Sequence, residues 1–596
     1  MDWTCAIEGD RILCTLTPDR DLHGAVLCFS GMAPMRAVAG GTRVGGLGGF
    51  TEVALPDLSA GVPHELVIAY SDGFHPANRA WLPMGPYLRT DAGPIALPVG
   101  DLGCRPVVLP DVGEIDGLPM VPQPNTWQAR GGTCTPDAGS GADAALSAVA
   151  ALAARRGLVW LPEGQGVHLE HTDLAPDAYE LEITPSRITL RAGDYGGRLY
   201  GGITLLHLLQ AGPLGCGTLS DAPRFGWRGQ HLDTARHFYV PQTILDLLDL
   251  MALLKLNRFH WHFADDEAFR LQIDCYPELW QKTEMRGEGH LLPALFSAEI
   301  EAGGSYSKAD VAAILAHARA LNIEVLPEIE VPAHAVALTR VMPQLRDPAD
   351  NGAEVSVQGY RGDAVNPALP ETWEVLEAIA QEVDALFPFG HLHLGCDELP
   401  EGTWMGSPRA RALMEEEGLD GTDDLQGWMM HRLAATVVAN GQRPCAWEEA
   451  AKGSNGGIGN GAILFSWTGQ GPGIEAAKQG YDVVMCPAQH VYLDMAQSDD
   501  PDDWGARWAG FLPLSETVNW DPIPDSSIAD RILGVQGTFW SEFTSRDAQL
   551  WPMLLPRIEG VAAMAWQQTQ IPQADFLRLV AAIRWLLTAF DVPLAT

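Results

Sequence analysis

From Arg224 onward the chain repeats one arrangement, strand then loop then helix, and this repetition constrains the fold more than any other feature. Eight short apolar runs read as strands: Gly229 to Leu232, Arg258 to Phe263, Ile323 to Pro327, His391 to Leu394, Pro444 to Trp447, Ala462 to Trp467, Asp482 to Cys486 and Ile532 to Phe539. Helical patterns lie between most of them, for example over Ile244 to Leu256, Lys308 to Leu321 and Trp373 to Leu386. Strands alternating with helices predict parallel pairing through crossovers. Eight such units close into an α/β fold of the (β/α)8 TIM-barrel type.

Every one of these strands runs into polar or aromatic residues. The first leads to Asp233-Thr234-Ala235-Arg236-His237, the second to Asp265-Asp266, and the third to Glu328 and on to His334. The fourth ends in Asp397-Glu398, the fifth in Trp447-Glu448-Glu449 and the sixth in Trp467. Tyr492-Leu493-Asp494 follows the seventh, and Trp540-Ser541-Glu542 the eighth. In barrels the active site is built at this C-terminal face. Aromatic faces cover the apolar C–H side of a pyranose, and carboxylates accept its hydroxyl hydrogens, so the set predicts a sugar pocket. Each member also has a plainer reading. Trp447 and Trp467 could be barrel core, Asp265-Asp266 a helix cap, and His334 a structural histidine. Their common position at one edge of one barrel favours the pocket.

Asp397-Glu398 is the most pointed signal among them. Side chains alternate along a strand, but at its end two neighbouring carboxyls can reach one cavity with different surroundings. Different surroundings separate pKa values, so that one carboxyl holds a proton while the other stays an anion. Glycosidic cleavage needs that division.

Before the barrel the pattern differs. Up to about residue 115, short alternating runs such as Arg11 to Leu16, Ala25 to Phe29 and Glu65 to Tyr70 are separated by Gly, Pro and Asp, which predicts a β-sandwich-like domain over 1–115. The stretch from Val107 to Pro124 reads as a linker. An α+β domain is expected over 116–222, with helices at Ala144 to Arg156 and Gly196 to Gln210. Its strands are expected at Leu158 to Leu161, Tyr179 to Ile183 and Ile188 to Arg191. The barrel is expected over 223–596.

Composition narrows the partners. A formal net charge of -38 argues against nucleic acid, whose phosphates need clustered Lys and Arg, and against anionic membranes. A neutral ligand fits, and a small oligosaccharide is the expected partner. No run is long and apolar enough to cross a bilayer. Met1-Asp2-Trp3-Thr4-Cys5 has no basic start and no apolar h-region, which predicts no signal peptide and a cytoplasmic location. The 10 cysteines lack the paired spacing of zinc sites or disulfide scaffolds, so neither a metal nor another cofactor is expected.

The motifs, taken in order, resemble family 20 glycoside hydrolases, the β-N-acetylhexosaminidases. They are Asp221-Ala222-Pro223-Arg224-Phe225-Gly226-Trp227-Arg228-Gly229, Leu232-Asp233-Thr234-Ala235-Arg236-His237-Phe238 and Phe259-His260-Trp261-His262-Phe263-Ala264-Asp265-Asp266. Gly303-Gly304-Ser305-Tyr306, Pro327-Glu328-Ile329-Glu330-Val331-Pro332-Ala333-His334, His393-Leu394-Gly395-Cys396-Asp397-Glu398, Tyr492-Leu493-Asp494 and Trp540-Ser541-Glu542 follow. The resemblance spans about 220 to 570, and the preceding α+β unit looks like the domain before the barrel in this family. It implies a retaining, substrate-assisted reaction, an exception to the two-carboxylate scheme, in which the substrate's 2-acetamido oxygen attacks the anomeric carbon. In that scheme Glu398 is the general acid and base, Asp397 orients the acetamido N–H, and Tyr492 donates to the acetamido oxygen. Trp447, Trp467 and Trp540 form aromatic walls, Arg228 grips the C3 and C4 hydroxyls, and Asp494 and Glu542 accept from the C4 and C6 hydroxyls. Asp265 and His334 form a pair supporting the acid. Two departures stand out: Glu330 where the family more often has Asp, and Phe269 where Trp is frequent, at the expected far edge of the pocket. The alternatives are a non-catalytic glycan-binding protein on the same scaffold and a metal-dependent barrel hydrolase using His260, His262 and Asp265.

Overall fold

The structure is a computed structural model that describes all residues except 72, 101–104, 114, 116 and 596. Parts of the expected linker (114 and 116) and the boundary residue 116 thus lie outside the described residues.

Eight parallel strands close into a barrel: Trp227–Asp233, Arg258–His262, Glu324–Glu328, His391–His393, Arg443–Trp447, Ile463–Ser466, Asp482–Met485 and Ile532–Gly537. The last pairs with the first, Trp227 opposite Gly534. The strands are buried almost end to end, because helices cover the outside and side chains fill the inside; such strands read as unbroken apolar runs. The predicted helices form at Pro241–Leu253, Lys308–Ala320 and Pro370–Leu386. Two of these start with Pro in the first turn, where a missing N–H costs nothing. The third starts on a capping box between Ser307 and Asp310.

Residues 2–96 form two antiparallel sheets, one of four strands and one of five. Strand Arg11–Thr17 alternates buried and partly buried positions, the signature of one face turned to a core. A further five-stranded sheet runs from Thr126–Thr133 to His168–His171, with helices Ala144–Arg155 and Tyr195–Gln210. Leu158 to Leu161, expected as a strand, is not one. The Gln210 side chain accepts from the Val159 N–H at 3.0 Å and donates to its carbonyl at 2.9 Å, so this backbone is satisfied by a helix rather than a ladder. The strands at Thr126–Thr133, His168–His171 and Gly215–Asp221 complete the sheet instead.

Candidate active site

The fourth strand stops at His393, and the next five residues turn sharply. Gly395, Cys396 and Glu398 have φ of 64°, 85° and 52°. Positive φ is uncommon for non-glycine residues and gathers where surrounding structure enforces it. Gly395 has no room for a side chain, since an added Cβ would sit 2.0 Å from the Glu330 carboxylate. That carboxylate accepts from the Cys396 N–H at 2.9 Å. Glu330 thus anchors the turn that aims Asp397 and Glu398.

Both carboxylates converge on His334. Its Nε2 lies 3.4 Å from Glu398 Oε2 and 3.8 Å from Asp397 Oδ2, while its Nδ1 faces Asp265 at 3.2 Å and Asp266 at 3.4 Å. Burial opposes charge on this imidazole, but Asp265, Asp266 and Glu398 outweigh it and hold its pKa well above the usual range. Asp397 is pushed up by burial, with His334 pulling it down and Glu398 pushing it up. Asp397 Oδ1 has no hydrogen-bond partner among the described residues. The Glu398 side chain is 27% exposed and reaches the cavity mouth.

The cavity measures about 400 Å³, within the range of small-ligand sites. Asp397, Glu398 and Tyr492 line it, as do Trp447, Trp467 and Trp540; Asp494, Glu542 and His334 complete the predicted set found there. Tyr492 stacks on Trp467 with centroids 6.2 Å apart, and Trp508 meets both edge-on at 5.6 Å. Burial raises Asp494 to about 7 and Glu542 to about 8; Arg236 pulls the latter down and Asp233 and Asp494 push it up. Glu448 accepts from the Trp467 and Thr468 backbone, shaping the loop that carries Trp467.

Two placements differ from expectation. Arg228 lies at the N-terminal end of the first strand, fully buried, and does not line the cavity. Its guanidinium donates to Asp177, Tyr200 and the Phe225 and Lys255 carbonyls at 2.8–3.0 Å, tying the barrel base to the preceding domain. Arg236, just past the C-terminal end of that strand, lines the cavity instead, as does Arg507 from a later loop. Arg236 is held by Asp265 at 2.7 Å and Glu267 at 2.9 Å, with its guanidinium 5.3 Å from the centre of Trp540. The rule that barrel sites lie at strand C-termini already separates the two arginines. Phe269, the second, packs edge-on against Phe263 at 6.1 Å, in the interior behind Asp265 and His334. Asp265 itself lies behind the cavity wall, bridging Arg236, His262 and His334.

Below the pocket, Glu328 fills the barrel centre. Its carboxylate meets His260 at 3.2 Å and His393 at 2.8 Å, bonds His262 as well, and accepts from Trp447 Nε1 at 2.9 Å. Burial opposes its charge, yet the histidines hold its pKa well below the carboxylate range. His262 uses one ring nitrogen on Glu328 and the other on Asp265, while His260 turns to Glu328. The three proposed metal ligands therefore serve two different contacts.

The fold and pocket define a class: a barrel whose strand ends gather acids and indoles around a sugar-sized cavity. The chain belongs to glycosyl hydrolase family 20. The family model "Glycosyl hydrolase family 20, catalytic domain" matches residues 225–569, and "Glycosyl hydrolase family 20, domain 2" matches 118–222. A beta-hexosaminidase of Vibrio furnissii is 34% identical over 407 residues, covering 66% of each chain. The N,N'-diacetylchitobiase of Vibrio harveyi is 29% identical over 66% of this chain and 55% of its own. The chain spans from about half to two thirds of the length of three of the curated relatives it matches, all beta-hexosaminidases. A solved GH20 exo-β-N-acetylglucosaminidase from Vibrio harveyi, in complex with N-acetylglucosamine, superposes with a TM-score of 0.88 at 27% identity, over 100% of this chain and 99% of that one.

Proposed function

We propose that this chain is an exo-acting β-N-acetylhexosaminidase that removes terminal β-linked N-acetylglucosamine, or N-acetylgalactosamine, from small glycans. The observation that carries the reading is the pairing of Asp397 and Glu398 around one charged imidazole at the floor of a Trp-lined cavity. Glu398, nearer the mouth, protonates the departing glycosidic oxygen. The acetamido oxygen of the substrate attacks C1 from the other side, giving an oxazolinium ion with Asp397 on the acetamido N–H. Glu398 then takes a proton from water as it attacks C1, the acetamide re-forms and configuration is retained. Tyr492 donates to the acetamido oxygen. Arg236 takes the hydroxyl-gripping role expected of Arg228, and Asp494 and Glu542 accept from ring hydroxyls.

The orphan Asp397 Oδ1 supports this assignment, because a buried acceptor without a donor costs stability until a ligand N–H meets it. The test compares an aryl β-N-acetylglucosaminide with the matching β-glucoside. Turnover of the first at least a thousandfold faster is expected. Equal turnover would sink acetamido assistance, and binding without any turnover would favour a glycan-binding protein.

A further inference from the structure

The strand ends account for the floor of the cavity but not for its whole rim. Met32, Phe74 and His75, all from the N-terminal sandwich, line the same cavity as Glu398 and Trp508. Their placement is fixed on two sides. Just after His75, the Asn78 side chain and Trp81 Nε1 both donate to the Gly505 carbonyl, at 3.2 and 3.3 Å. Trp81 also packs on Phe543 with centroids 5.6 Å apart. On the other side, Gly48 lies so close to Tyr360 that an added Cβ would stand 2.5 Å from its ring. The Tyr360 hydroxyl donates at 2.7 Å to Glu267, the partner of Arg236.

Rim and floor differ in chemistry. The floor is charged, whereas Phe74 is half-buried, His75 is exposed and Trp508 is 55% exposed. Exposed aromatic surface beside a polar pocket marks a binding surface rather than core. A sugar that enters by its non-reducing end places its glycosidic oxygen at Glu398, and the rest of the substrate must leave past the rim.

We infer that the N-terminal sandwich supplies part of the leaving-group site: Phe74 and His75, with Trp508, contact the second ring of a β-linked amino-sugar oligosaccharide. This rests on the glycosidase reading above. The sandwich is then a working part of the active site, and it selects for a saccharide leaving group over a small aryl one.

The test is the full-length double variant Phe74→Ala/His75→Ala, assayed on a β-1,4-linked disaccharide of N-acetylglucosamine and on an aryl β-N-acetylglucosaminide. We expect kcat/KM on the disaccharide to fall about tenfold while the aryl substrate changes less than twofold. Equal losses on both, or no loss on either, would overturn the inference. Should the alanine variant fold poorly, Phe74→Leu/His75→Gln tests the same selectivity. Binding to the Glu398→Gln protein gives a readout independent of turnover: the rim substitutions should raise Kd for the disaccharide and leave that for N-acetylglucosamine unchanged. Failure of the wild type to cleave the aryl substrate would strike the glycosidase reading alone, and an unchanged disaccharide Kd would strike the rim.

Discussion

Buried acids stand at two levels of the barrel, Glu328 inside it and Asp397, Asp494 and Glu542 beyond the ends of other strands, and their carboxylates are paired to different degrees. Glu328 at the barrel centre is fully buried and surrounded by three imidazoles and an indole N–H. Its charge is compensated from within the protein. At the barrel mouth, on the cavity floor, Asp397 Oδ1 and Asp494 Oδ1 have no hydrogen-bond partner among the described residues, and Asp494 and Glu542 are raised to about 7 and 8 by burial. A buried polar atom left unpaired costs free energy that a substrate group can recover. Among these carboxylates, Glu328 has its contacts inside the protein, whereas Asp397 and Asp494 each present an oxygen to the cavity side that a ligand can meet.

Mutations break this contrast in opposite ways. The largest effect is expected at the mouth: Glu398→Gln should lower kcat on disaccharides by about a thousandfold, within the span attributed to a positioned general acid. Its activity should recover on aryl substrates whose leaving groups need no proton. Asp397→Asn should cost about a hundredfold or more on all substrates, because it removes charge stabilisation rather than a proton donor. Neither should lower Tm. Wild-type rates in either variant would remove the role assigned to it.

Glu328→Gln reverses the pattern. Removing one partner of a buried charge cluster costs about 3–5 kcal/mol, so this variant should be lost mainly to unfolding, as read by denaturant titration. A protein of wild-type stability with abolished turnover would instead make Glu328 part of the chemistry.

His334 holds Asp397 and Glu398 directly and reaches Glu328 through Asp265 and His262, and its substitution tests what that cation does for Asp397. The cation at His334 pulls the Asp397 pKa down against burial. His334→Gln removes that pull, so Asp397 should take up a proton at higher pH than in the wild type. The acid limb of the kcat/KM profile should move to higher pH, with about a tenfold loss at pH 6. An unmoved limb with a uniform loss would reduce His334 to a packing role.

How far these regions could be read from sequence follows from their physics. Eight parallel strands buried on both faces are nearly continuous apolar runs, and the observed strands begin and end close to the expected positions. The acids and indoles at their ends share one loop face, so Asp397, Glu398, Trp467 and Glu542 could be placed by strand order alone. The short apolar run at Leu158 to Leu161 could not, because its fate depends on one glutamine about fifty residues away. Glu330 stands out in the sequence only as a departure from the Asp more frequent in the family, whereas its role depends on the left-handed turn at Gly395. The motif resemblance points to Arg228, whereas strand polarity points to Arg236. Nothing local to Phe74 and His75 indicates that another domain's loop meets the barrel mouth.

The smallest effect concerns stability and has a definite sign. Asp494 titrates at about 7 in the folded chain against an ordinary 3.8, because burial disfavours its anion. Between about pH 4 and pH 7 the unfolded chain has released this proton while the folded chain retains it, so the group's contribution to stability falls as pH rises across that window. Above pH 7 both states are ionised and the penalty stays constant. Asp494→Asn has no proton to lose. It should therefore melt a few degrees higher than the wild type at pH 8, with the gap closing toward pH 4, while turnover falls about tenfold from the lost hydroxyl acceptor. Greater stability at the expense of activity is the expected behaviour of an unfinished site. A variant less stable than the wild type at pH 8 would place Asp494 with Glu328, among the acids the fold itself needs.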